Sequence, residues 1–147
     1  MLKKSFSLIE VLVFTAILAL FFVAAMTISV VSLRSMKTQQ YTIQATHLAE
    51  EATEWLNSEK LTDWPKFVAY DKSSGDGTIY CLQGLNWSMS GECPGFTAGS
   101  PALFKRELLL KAVGNPATRV DTEITVSWLD IGTIKKVTVK SGLRLLE

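Results

Sequence analysis

Two hydrophobic patterns divide the first part of the chain. From Val11 to Leu33 no residue is charged, and Val, Ile, Leu, Phe and Ala dominate every side of a helical projection. At ~1.5 Å per residue, a helix over this stretch spans roughly 35 Å, enough to cross a hydrocarbon core of about 30 Å. Thr15, Thr27, Ser29 and Ser32 fit such a helix, because a hydroxyl can bond back to a carbonyl one turn earlier. After Leu33 the pattern turns amphipathic. Tyr41, Ala45, Leu48, Ala52, Trp55 and Leu56 recur at helical spacing, with Gln39, Gln40, Gln44, Glu50, Glu51 and Glu54 between them. No Gly or Pro occurs from Met1 to Asp63. The pattern therefore predicts one helix over 6–57, with 11–33 spanning a membrane. Asn57-Ser58-Glu59-Lys60 and then Trp64-Pro65 supply its stop signals.

The remainder, 58–147, reads as β-rich. Ser73-Ser74-Gly75-Asp76-Gly77 is a loop, and Thr78 to Leu82 is a short strand. Phe104 to Val113 is a second strand, with Phe104, Leu108 and Leu110 sharing a parity. Thr122 to Leu129 alternates with Ile124, Val126 and Trp128 on one face. Asp130-Ile131-Gly132-Thr133 forms a tight turn, and Ile134 to Leu145 returns with Val137, Val139, Leu143 and Leu145 on one face. Three strands from Phe104 onward make an antiparallel meander whose apolar face covers the helix stripe. The opposite face carries Glu123, Thr125, Ser127, Lys136, Thr138 and Lys140 and should be wet. The predicted class is α+β, a long N-terminal helix packed on a small antiparallel sheet.

Composition adds limits. A chain of 147 residues holds one modest domain beside the apolar segment. A net charge of +1, with no basic block interleaved with aromatics, indicates no nucleic-acid partner. Lys3 and Lys4 precede the apolar run, and Arg34 and Lys37 follow it. That bias is nearly balanced, and a short N-terminus ahead of a large C-terminal domain favours N-inside insertion.

Cys81 and Cys93 enclose a loop rich in Gly, Ser and Asn. In a chain delivered across a membrane they most simply form one disulfide, which by loop entropy adds about 3 kcal/mol. The alternatives are free thiols or a metal site, and two ligands are too few for the latter. No metal or cofactor is expected. Nor is an enzyme: the chain has no nucleophile elbow and no phosphate-binding glycine motif. Asp71 and Asp76 flank a Gly-rich loop without EF-hand spacing. Its one histidine, His47, sits among polar helix positions as a solvated residue.

Glu10 stands out. A carboxylate in an apolar zone costs roughly 3 kcal/mol at the bilayer centre and less near an edge. A plain membrane anchor does not use it. A signal peptide with Val23-Ala24-Ala25 before the cut leaves it unexplained, and the apolar run continues past that cut to Leu33. A third reading gives it a role. Cleavage between Ser5 and Phe6 would leave Phe6 with a free ammonium, four residues from Glu10 on the same helix face. That amine can meet the carboxylate within the helix or on a neighbouring one.

The run Lys3-Lys-Ser-Phe-Ser-Leu-Ile-Glu-Val-Leu-Val13 resembles the class III leader of type IV pilins and pseudopilins. That family has a short basic leader, a cleavage site, a Phe, and then an apolar stretch with Glu at the fifth mature position. The family usually has Gly before the cut, where this chain has Ser5, a small residue also found there in some members. The resemblance is close over about the first thirty residues. It implies a leader over 1–5, cleavage after Ser5 by prepilin peptidase, and N-methylation of Phe6. It also implies subunit assembly in which Phe6 of one chain pairs with Glu10 of the next. The implied partners are prepilin peptidase, other pilin subunits and the assembly machinery. The precursor would lie single-pass in the cytoplasmic membrane, and the assembled subunit in an extracytoplasmic filament. His47 to Leu56, the Phe104-Lys-Arg strand and Val126-Ser-Trp-Leu-Asp130 further resemble a group of minor pilin-like proteins. Major pilin, minor pilin, and pseudopilin of a secretion or competence system all stay open, with minor favoured. The competing class is a tethered or secreted binding module with no filament role.

Overall fold

The uninterrupted helix-forming sequence at the start of the chain does produce one long element. A computed structural model describes residues 7–73 and 75–144. Helix α1 runs over Leu8–Thr62. The chain divides into two units, Met1–Gln39 and Gln40–Glu147. In the first, every side chain from Ser7 to Lys37 is exposed. The hydroxyls of Thr15, Thr27 and Ser29 donate back to the carbonyls of Leu12, Val23 and Ala25 at 2.9–3.0 Å, so three polar residues sit within the apolar run with their donors satisfied.

The end of this helix differs from the expectation. The helix does not stop at Asn57. Ser58 to Lys60 continue it, and Thr62 Oγ1 donates to Ser58 O at 2.9 Å. It ends where Asp63 turns extended (φ −157°) and caps the next helix, accepting from the Lys66 N–H at 3.0 Å. Helix α2, Trp64–Ala69, carries Pro65 in its first turn, where a missing N–H is harmless. The stop signal was real and acts one turn later than read. The helix start at Phe6 and the cleavage pair Ser5 and Phe6 lie outside the described residues.

The second unit seats the C-terminal part of α1 on a four-stranded antiparallel sheet. Its strands are β1 (Thr78–Cys81), β2 (Phe104–Gly114), β3 (Ala117–Asp130) and β4 (Thr133–Arg144), in the order β1-β2-β3-β4. The predicted meander is present, and the short strand joins it as a fourth. β3 starts earlier than predicted, at Ala117, so Arg119 and Val120 also pair, with Arg144 and Leu143. Register places Phe104 opposite Trp128, Leu108 opposite Ile124, and Val126 opposite Val137. The parities therefore combine into one apolar face of Phe104, Leu108, Leu110, Val120, Ile124, Val126, Trp128 and Leu143.

Against this face α1 presents Ala45, Ala49, Ala52 and Leu56, all buried. Three alanines at spacings of four and three make one strip of small side chains that is fully covered. Tyr41, Leu48 and Trp55 flank them, partly buried, and the Tyr41 and Phe104 rings meet edge-on at 6.1 Å. On the outer face Lys136, Thr138 and Lys140 are exposed, but Ser127 is buried. Its cross-strand neighbours are Lys105 and Lys136, whose aliphatic stems can cover a small residue between them.

The β3–β4 turn has Ile131 at φ 48° and Gly132 at φ 77°. Positive φ at both central positions is the two-residue hairpin geometry that favours Asn-Gly. Isoleucine there costs roughly 1–2 kcal/mol, and its side chain is 79% exposed.

Candidate functional site

The residue singled out by sequence, Glu10, lies in the first turn of α1. Its backbone N–H donates to Ser7 O at 3.0 Å, and its side chain is exposed. A carboxylate at a helix N-terminus faces the positive end of the macrodipole, worth about 0.3–1 kcal/mol. That offsets only part of the cost of placing the charge beside lipid. Around it Leu8, Ile9, Val11, Leu12 and Val13 are all more than half exposed. α1 contains a window long and apolar enough to cross a bilayer, and none of that window is buried within the chain.

Cys81 and Cys93 are joined by a disulfide, with their Cα atoms 4.9 Å apart. The loop between them is tied down at several points. Cys81 N donates to Met89 O at 3.0 Å, Gly91 N to Ile79 O at 2.7 Å, and Cys93 N to Glu107 Oε1 at 2.9 Å. Trp87 carries the loop onto the end of α1. Its indole stacks on Tyr70 at 4.0 Å, lies 4.8 Å from Trp55, and donates its N–H to Glu59 Oε2 at 2.7 Å. Buried Trp and Tyr normally need such a partner for their polar atom. Tyr80 has one too, donating from its hydroxyl to Tyr70 O at 2.7 Å.

Two polar residues hold this unit together. Arg106 sits on β2 at the same parity as Phe104 and Leu108 and is buried. Its Nε donates to Leu82 O at 2.7 Å. Its Nη1 donates to Leu48 O at 2.9 Å and to Glu51 Oε2 at 2.7 Å. One guanidinium thus links sheet, loop and helix. The sequence reading passed it over: it shares the parity of Phe104 and Leu108, which would have pointed it inward, but an arginine among apolar positions is easily assigned outward.

Asp71 organises the Gly-rich loop. Its carboxylate accepts from Ser73 N and Oγ, Thr78 Oγ1 and Ala112 N at 2.7–3.1 Å. Burial pushes its pKa up, but the donors from Ala112, Ser73 and Thr78 together hold it below the ordinary 3.8. Four donors from the chain itself saturate this carboxylate. Among the described residues no group of three or more His, Cys, Asp and Glu side chains is placed to hold a metal ion.

One concave surface was not foreseen. A groove of about 450 Å³ runs along α1, with Ile43, His47, Glu50 and Glu54 on one wall and Gly99, Ser100 and Phe104 opposite. Gly99 stands at φ +86°, and an added Cβ would come 2.9 Å from the Phe104 ring, so glycine keeps this wall open. Sequence reading took Glu50, Glu51, Glu54 and His47 as a solvated face. They are exposed, but the loop beyond them turns that face into a groove.

No family model matches this chain, and neither a curated protein nor a solved structure matches it.

Proposed function

We propose that this protein is a structural subunit of a type IV pilus or related filament, of the minor pilin kind. The observation that carries the reading is Glu10, a carboxylate in the first turn of a helix whose apolar window is unburied among the described residues. Burying a large aliphatic side chain is worth about 1.5–3 kcal/mol, so this surface demands lipid or other helices. Both environments are apolar, and moving from one to the other is close to balanced.

Cleavage after Ser5 supplies the polarity that lipid lacks. A Phe6 ammonium adds positive charge at the positive end of the helix dipole, and a carboxylate beside it offsets both. Within a bundle of such helices, Glu10 of one subunit takes the ammonium of the next and fixes the stagger between them. The leader lysines Lys3 and Lys4 leave with the cleaved peptide, which frees the helix to move out of the membrane. The sheet unit stays outside and displays the surface of the filament.

Glu10→Ala tests this directly. The variant should insert in the membrane and be processed as the parent is, while its share in sheared filament fractions falls at least about tenfold. Equal incorporation of variant and parent contradicts the pairing.

A further inference from the structure

The sheet unit carries two unpartnered surfaces whose chemistry is complementary. The first is the groove on α1, whose lining combines the apolar Ile43, Leu48 and Phe104 with the acidic Glu50 and Glu54. Glu51 is tied to Arg106, so its charge is internally matched, while no ion pair holds Glu50 or Glu54 among the described residues. The second is the tip of the β3–β4 hairpin. Leu129, Ile131 and Ile134 are 58%, 79% and 65% exposed. Beside them stand Lys135, paired with Asp130 at 2.7 Å, and Lys136, which has no ion pair among the described residues. The tip thus carries a net positive charge on an apolar body.

Ile131 adds an independent reason to look here. It occupies a positive-φ turn position that Asn would fill with less strain, and its side chain contributes little to its own fold. The placement of the two surfaces also fits. Ala98 pairs with Phe104 on the side of β2 away from β3, so the groove lies on one flank of the sheet. β4 is the opposite edge. A tip on one flank and a receptor on the other form a heterologous contact, which repeats from copy to copy as an open filament wherever its rotation does not close a ring.

We infer that the β3–β4 hairpin tip of one copy docks in the α1 groove of the next, with Ile131 against its apolar residues and Lys136 against Glu50 and Glu54. This rests on the filament reading, which supplies the stack of copies in which such a contact recurs. It adds a lateral lock between sheet units to the one between helices.

Cross-linking in membranes of cells making the full chain tests it. Both native cysteines are held in the disulfide, so introduced thiols react alone. Chains carrying His47→Cys and chains carrying Thr133→Cys, mixed and treated with a short bismaleimide, should give a dimer. Either alone should give little, and the double variant should give a ladder. Ile131→Asn suits the turn and preserves the fold, yet should cut the mixed dimer about tenfold by removing the buried side chain. Lys136→Glu should cut it about threefold to fivefold, and Glu54→Lys in the partner should restore it. Absence of the mixed dimer, or like-with-like dimers of equal yield, overturns the docking. So does a lipid-like signal from a fluorophore at Thr133→Cys without a dimer, which would place the tip on the membrane. Chains that begin at Phe6 and assemble without the mixed dimer sink this inference alone. Chains that retain 1–5 and give no dimer sink the filament reading with it.

Discussion

The same helix behaves in two ways along its length. From Leu8 to Lys37 every side chain of α1 is exposed, and the apolar residues show no preferred face. From Gln40 to Thr62 it buries Ala45, Ala49, Ala52 and Leu56 on one face and turns Glu50, Glu51 and Glu54 outward. Periodicity marks a helix whose partner is its own chain. Its absence, over a run long enough to cross a bilayer, is what a single-pass membrane anchor requires. Under the proposed filament reading the single carboxylate of the first region meets a group outside its own chain; in the second region Glu51 and Glu59 are answered by Arg106 and Trp87, while Glu50 and Glu54 face the groove.

The sharpest way to break this contrast is at Arg106. Arg106→Ala takes the guanidinium away from the Leu82 carbonyl, from the Leu48 carbonyl that the helix also bonds, and from the half-exposed Glu51, and should destabilise the sheet unit by about 2–4 kcal/mol. Denaturant unfolding of the full chain in detergent, followed by tryptophan fluorescence, measures it. Membrane retention should not change. A loss under 1 kcal/mol would show that the guanidinium is not the link described.

A matched pair of alanine substitutions comes next. Ala49→Leu forces extra volume between α1 and the sheet and should destabilise by about 1–3 kcal/mol. Ala24→Leu, in the exposed run, should leave unfolding within about 0.5 kcal/mol of the parent. Equal effects would erase the distinction between the two regions.

The smallest effect is a pH response confined to the sheet unit. Because the Asp71 pKa in the folded chain is lowered from 3.8, its contribution is present above about pH 3.8 and is lost as pH falls through the folded value. Thermal unfolding of parent and Asp71→Asn should differ most near neutral pH and converge in acid. A gap that widens in acid would reverse the assigned direction.

Much of this architecture was legible in the sequence because it rests on spacing. Alternation placed Ile124, Val126 and Trp128 inward, and the helix stripe pointed to Ala45, Ala52 and Leu56. What spacing could not supply depended on neighbours distant in the chain. Ala49 was left out of the stripe although it stands four residues from Ala45 and three from Ala52 on the same buried face. Ser127 was assigned to water because parity ignores the lysine stems on either side. The α1 groove needed the 98–103 segment to fold back beside β2, which no local pattern announces. Glu10 was visible for the opposite reason: it violates its surroundings, and the violation requires no long-range contact to see.

The mature N-terminus decides the central claim most directly. Intact-mass and N-terminal peptide mass spectrometry of the chain recovered from the cell envelope should find it beginning at Phe6 with a methylated amine. Recovery of the mature chain with residues 1–5 still attached would contradict the account, because the Phe6 ammonium assigned to Glu10 would then not exist.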